Sequence, residues 1–389
     1  MEIIVVWPYE LETPNRAPYQ RIKALSNHFN VCIISMMKNK IDNQIRKKIN
    51  RIISVDININ QRIKYILYLF KMIVTLFSYS FNKKQVSIYM IYNWTILPVM
   101  IISIIFGIKI FVDFLDDPYL MEQVYKIKKD SKIKYYIYKF INILFERFAL
   151  NDKYISGFCS IGMNKSSMLP TIFSKRYKIQ PNKLIVLPNG ADLSISFPNT
   201  ERKNNKILHI VYVTLIGPQR EVDIFINILS KIKNVRFKLI LIGETITDFD
   251  KKWINNLVKD RNWIEFRGKL PHNKVLEWIG KSDVGIFMAS KKITNYRYTH
   301  SIKVPEYLAM GLPVIAPRFE GVMDIVEDGY NGFLFEPDHP EDIIDIITKN
   351  KATFINRELL LNSLHSIKQF DWNIINDKFI SEFRRTLIY

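Results

Sequence analysis

The chain has 389 residues, enough for two domains with separate cores, and its 48% hydrophobic content excludes a disordered chain. Two cysteines and six histidines without ligand spacing argue against a disulfide framework or a zinc module. Lysine plus arginine is 56 against 37 acidic residues, a net charge of +19 that attracts polyanions. No zinc finger or RNP-type aromatic motif is present, so the expected polyanion is an anionic membrane surface or a phosphorylated substrate and not nucleic acid. Part of the lysine excess also follows the general abundance of Ile, Asn and Lys.

In chain order, the opening Met1-Glu-Ile-Ile-Val-Val-Trp7 reads as a first strand, with no basic leader ahead of it. Short Ile- and Val-rich runs at 31–35, 51–57, 87–91, 109–114, 155–161 and 184–187 predict further strands. Helical stretches, such as 19–29 and 132–150, separate most of them. Cys32 and Cys159 fall inside apolar strands and are expected as core thiols in a reducing compartment. The apolar run from Trp94 to Gly107 is too short to span a bilayer and is expected as a buried helix. Residues 61–84 combine many apolar side chains with Arg62, Lys64, Lys71, Lys83 and Lys84. They read equally well as a helix in a membrane interface or as a core helix with basic ends.

The pattern restarts after Pro188-Asn189-Gly190-Ala191-Asp192 and a polar run at 198–205. Strands are predicted at 209–213, 237–242, 263–267, 283–288, 313–316 and 332–335, and an amphipathic helix at 372–387. Alternation of this kind gives parallel sheets with helices on both faces. The expected division is 1–190, 191–370 and a terminal helix, 371–389, packed back on the first domain.

The segment Ser301-Ile-Lys303-Val-Pro305-Glu306-Tyr-Leu-Ala-Met-Gly311-Leu-Pro313-Val-Ile-Ala316 carries the most information. It predicts a short helix starting at Pro305, ending at Gly311 and turning into a buried strand. Glu306 in the first turn can accept hydrogen bonds from two adjacent hydroxyls, such as a ribose diol. Lys303 and the helix start suit a diphosphate.

This segment resembles the donor-binding helix of GT-B glycosyltransferases, of the large group that includes glycosyltransferase family 4. Leu187-Pro-Asn189-Gly190-Ala-Asp192, the loop from Thr214 to Arg220, Leu241-Ile-Gly243-Glu244, and Trp263 to Pro271 followed by Ser282-Asp283 match the same family in order and spacing. The resemblance implies two Rossmann-like α/β domains facing across a cleft, with a UDP- or GDP-sugar as substrate and no cofactor. It implies donor contacts from Gly217, Gly243, Tyr298, His300, Ser301, Glu306, Gly321 and Asp324. It also implies leaving-group stabilisation by Arg220, where the family usually carries lysine, and by Lys303. Many retaining members carry an acid where Tyr298 stands, so the stereochemical outcome stays open.

In the first domain, Asp116 and Asp117 follow a strand end and are candidates for the base that takes the acceptor proton. Tyr19 and Arg21 are acceptor-binding candidates. The expected reaction is metal-independent sugar transfer to a glycan or polyprenyl-linked acceptor in bacterial surface polysaccharide synthesis. Its expected place is the cytoplasm, free or peripheral on the inner face of the plasma membrane. The rivals are a sugar-nucleotide 2-epimerase and a non-catalytic nucleotide-sugar-binding homologue.

Overall fold

A computed structural model describes residues 2–7, 17–35, 46–54, 61–81, 86–92, 97–116, 140, 143–144, 146–151, 153–195, 207–217, 220–245 and 247–388. The chain forms two compact units. Met1–Pro188 with Asn373–Tyr389 is the first, and Asn189–Trp372 is the second.

Unit 1 is built on seven parallel strands: β1 (Glu2–Trp7), β2 (Asn30–Ser35), β3 (Arg51–Ser54), β4 (Val86–Ile91), β5 (Lys109–Phe114), β6 (Ile155–Ile161) and β7 (Leu184–Leu187). They lie in the order β3-β2-β1-β4-β5-β6-β7. The order reverses at β1, whose Ile3 pairs with Val31 on one side and Ser87 on the other. The strands are apolar throughout because helices cover both faces, so no polar alternation is needed. Strand β3 ends at Ser54; the rest of the run expected to 57 lies outside the described residues. The same holds for most of the helix expected at 132–150, of which 140, 143–144 and 146–149 are helical.

Helices α1 (Ala17–His28), α2 (Gln61–Phe81), α3 (Leu97–Ile105) and α4 (Met168–Tyr177) belong to this unit. Helix α3 buries Leu97, Val99, Met100 and Ser103 but leaves Ile105 74% exposed, so the helix expected to be buried is covered on one side only. The terminal helix, Trp372–Ile388, places all but its first residue in unit 1. Phe383 sets its ring 4.8 Å from Phe111 and 5.8 Å from Phe29, and Asn376 donates to Gln20 at 3.3 Å. A Cβ at Gly157 would overlap the Phe111 ring, so that glycine lets the aromatic cluster sit against the sheet. Cys32 and Cys159 are buried and form no disulfide.

Unit 2 carries β8 (Leu208–Val213), β9 (Phe237–Ile242), β10 (Ile264–Phe266), β11 (Val284–Ile286), β12 (Val314–Pro317) and β13 (Gly332–Phe335), all parallel, in the order β10-β9-β8-β11-β12-β13. Helix α5 (Val222–Leu229) buries Phe225, Ile226 and Leu229 against β8 and β9 as part of one contiguous core. Helix α6 (Asp248–Val258) starts at a capping box in which Thr247 and Asp250 exchange hydrogen bonds. The remaining helices that shape the candidate site are α7 (His272–Gly280), α8 (Asn295–Tyr298), α9 (Lys303–Ala309) and α10 (Glu320–Met323). The first and last turns of unit 2 are joined: Ala191 N–H donates to Phe370 O at 3.0 Å, and Trp372 N–H to Ala191 O at 3.1 Å.

Candidate active site

In a parallel sheet every strand ends on the same edge, so residues that follow strand ends collect there. All the sequence-predicted donor residues of unit 2 do so. Gly217 and Arg220 follow β8, and Gly243 follows β9. Tyr298, His300, Ser301, Lys303 and Glu306 follow β11, while Gly321 and Asp324 follow β12. Strands β8 and β11 are the neighbours at which the order reverses, the place where open α/β sheets hold ligands.

Helix α9 starts at Lys303, two residues before the proline at which the start was expected. Pro305 remains in the first turn, where the backbone N–H groups have no intrahelical partner and the missing one costs nothing. Lys303 N–H is met by Ser301 Oγ at 3.3 Å, which gives Ser301 a local role. The helix ends as read: Gly311 adopts φ +71°, and Leu312 N–H returns to Tyr307 O at 2.9 Å.

Glu306 is buried in that first turn, and its Oε1 lies 2.7 Å from His272 Nε2, at the start of α7. Burial pulls the His272 pKa down, but the hydrogen bond and charge of Glu306, with Asp192 nearby, outweigh it and raise the pKa above its ordinary value. His272 was not among the sequence candidates. Its only signal is position, one residue after Pro271 at a helix start. Tyr307 was also missed. Its hydroxyl accepts Val213 N–H at 2.9 Å, and a Cβ at Gly285 would meet its ring, so Tyr307 anchors α9 across β11 to the end of β8.

Arg220 sits at the end of the β8 loop with its backbone carbonyl held by Tyr212 Oη at 3.1 Å. Its guanidinium lies 4.3 Å from the ring centre of Tyr296 on α8, which orients the planar fork by cation–π attraction. Its Nε is buried with no hydrogen-bond partner. Residues 218–219 of the same loop lie outside the described residues.

His300 is buried, with Nε2 2.9 Å from Asp324 Oδ2, and its carbonyl accepts from Asn189 Nδ2 at 2.7 Å. Its Nδ1 is buried without a partner. His300 is therefore an interior residue and not a surface histidine. Tyr298 is partly exposed on α8, beside the Arg297 guanidinium. Two glycines act through backbone packing. A Cβ at Gly321 would strike the carbonyls of Thr299 and Tyr298, and one at Gly243 would overlap the Thr214 carbonyl. Gly243 thus lets the ends of β8 and β9 lie close together.

In unit 1 the candidates part company. Asp116, two residues beyond β5, is exposed, and Asp117 lies outside the described residues. Tyr19 is buried on α1, and Arg21 is 1% exposed, ion-paired to Asp113 on β5. The structure corrects the placement of Arg21: its charge is matched inside the core instead of at a surface. Tyr89 donates to the same carboxylate, and burial with the Asp113 charge pushes the Tyr89 hydroxyl well above its ordinary pKa. Among the described residues no group of three or more His, Cys, Asp or Glu is placed to hold a metal ion.

Two parallel α/β units with this arrangement define the GT-B class of fold. The solved structure of Anabaena HepE in complex with UDP superposes with a TM-score of 0.69 at 15% identity, over 99% of this chain and 100% of that one. Residues 208–350, all within unit 2, match the family model described as glycosyl transferases group 1. An uncharacterized glycosyltransferase of Methanocaldococcus jannaschii is 29% identical over 49% of this chain and 50% of its own length. A phosphatidylinositol N-acetylglucosaminyltransferase component of Arabidopsis thaliana is 24% identical over 51% of this chain and 43% of its own. The chain spans about half the length, or less, of these curated relatives.

Proposed function

We propose that the chain is a glycosyltransferase that takes a nucleotide-sugar donor on unit 2 and passes its sugar to a hydroxyl acceptor. The observation that carries this reading is the placement of Arg220 after β8, Lys303 and Glu306 after β11 and the Gly321 turn after β12, all beyond strand ends on one edge of the sheet. Glu306, hydrogen-bonded to His272, accepts hydrogen bonds from the ribose diol. Arg220 and Lys303 face the diphosphate. As the bond from sugar C1 to the diphosphate oxygen breaks, negative charge grows on that oxygen, and fixed cations there lower the barrier. The acceptor oxygen bonds to C1 and gives its proton to a carboxylate, which we assign to Asp116 or Asp117 of unit 1. Tyr298, His300, Ser301 and Asp324 shape the sugar end of the donor site. We assign the leaving-group charge to protein cations and not to a metal.

The HepE complex holds UDP, which makes a uridine donor the first to test. The name of the Arabidopsis relative specifies a phosphatidylinositol acceptor, which favours a lipid-linked acceptor and a place at a membrane here. Among the described residues no helix is long and apolar enough to cross a membrane, so the place proposed is peripheral, in service of a surface glycan.

Thermal unfolding with UDP, GDP, CMP and their sugars tests the donor: a true ligand at 100 times its Kd adds about 2.7 kcal/mol. Turnover with and without added acceptor then tests the reaction. Loss of donor only when acceptor is present supports transfer, acceptor-free isomerisation of the sugar supports an epimerase, and binding without turnover supports a non-catalytic homologue. Activity that survives EDTA supports the metal-free assignment, and abolition overturns it.

A further inference from the structure

We propose that the outward face of α2, joined by the end of α3, is a docking surface for an anionic lipid bilayer. Helix α2 is held to unit 1 by Tyr68, Met72 and Leu76, all buried and spaced four apart. Lys71 turns inward as well, donating to Ser54 O at 2.8 Å. These contacts fix which side of the helix faces out. That side carries Ile66, Phe70, Ile73, Val74 and Phe77, at steps of four, three, one and three. Ile66 and Phe70 are each 63% exposed and Phe77 58%. Phe77 meets Phe106 edge-on at 6.3 Å, and Ile105 beside it extends the same apolar surface. A helix packed on a soluble domain normally turns polar residues outward, so this one is apolar on both its inner and its outer side. Of the two equal readings of residues 61–84, the core helix describes one side of α2, and the proposal concerns the opposite, exposed side. The core side runs through Tyr68, Met72 and Leu76.

Charge selects the occupant. No aspartate or glutamate occurs from residue 57 to residue 112, while Arg62, Lys64, Lys71, Lys83, Lys84 and Lys109 do. Both helices lie within that acid-free stretch. Pairing this face with a second copy would bring two such stretches together and set like charges against each other. An anionic bilayer instead offers acyl chains to the stripe and negative headgroups to the flanking bases. The helix lies along the surface, since it does not meet the requirements for crossing it.

Flotation of the full chain with phosphatidylcholine vesicles, with and without about one-third phosphatidylglycerol, tests the proposal. The wild type is expected to float with the anionic vesicles, less as salt rises, and to keep a salt-resistant remainder from the inserted stripe. The double variant Phe70→Glu, Phe77→Glu should lower partitioning at least about tenfold while leaving the melting temperature near that of the wild type, because both rings face out. Ile374→Glu, an isolated exposed position on the terminal helix, should leave partitioning unchanged. Failure to float with either vesicle overturns the proposal, as does flotation that the double variant does not reduce. Self-association that the double variant abolishes, without flotation, would assign the face to a second copy. Nucleotide-dependent thermal shifts of the same variants report on the donor site separately, so either reading can fail alone.

Discussion

The two units use buried polar side chains for opposite ends. In unit 2 they lead to the sheet edge: His272 steadies Glu306, Asp324 meets His300, and Tyr307 ties α9 to β8. In unit 1 the most buried ion pair, Arg21 with Asp113, closes on itself beneath the aromatic rings of the terminal helix, with Phe379 6.0 Å from the Arg21 guanidinium. In unit 2 the polar contacts fix side chains that follow strand ends. The polar groups of unit 1 instead lock α1, β4 and β5 together. A conspicuous arginine near a helix start stacks on a tyrosine ring after a strand end in one unit and is ion-paired in the core of the other, and only the fold tells which.

The largest expected effect bears on that core pair. Arg21→Ala should leave the Asp113 carboxylate buried without its cation and destabilise unit 1 by about 3–5 kcal/mol in denaturant unfolding. A stable variant that loses only affinity for acceptor would move Arg21 into the site and erase the contrast between the units.

Next come the leaving-group cations. Lys303→Ala or Arg220→Ala should cut kcat by about 10²–10³ and leave stability nearly unchanged. A rise in KM with kcat intact would show that these cations bind donor and transition state equally.

Glu306→Gln should weaken donor binding by about 1.5–3 kcal/mol, read by titration calorimetry. Donor affinity equal to the wild type's in the folded variant would remove the ribose from that helix.

The smallest effect concerns His272, and it depends on pH. Its folded pKa is raised above 6.5, so its pairing with Glu306 stabilises unit 2 fully below 6.5 and is lost as pH rises through the folded value. The melting-temperature difference between wild type and His272→Gln should be greatest below that pH and fade above it. A difference constant with pH would show that packing, not charge, joins the two residues.

Much of this molecule was legible in local pattern. Short apolar runs marked every described strand, because parallel strands covered on both faces need no alternation. Glu306, Lys303 and Gly311 could be placed because a helix start, its first turn and its left-handed end are fixed by neighbours in sequence. The edge at which the candidate residues gather was legible too, since residues after parallel strands must collect on one side. Tertiary structure alone decided the partners. His272 and Glu306 are 34 residues apart, and Arg21 reaches Asp113 from another element entirely. Gly243 and Gly285 are glycines because a carbonyl and a tyrosine ring from distant segments press on them. Helix α2 shows the same limit: its sequence is apolar nearly all round, and the side that faces solvent was set by what packs beneath it. Contacts between residues far apart in the chain leave no local period, so the sequence states which groups are available and the fold states which of them meet.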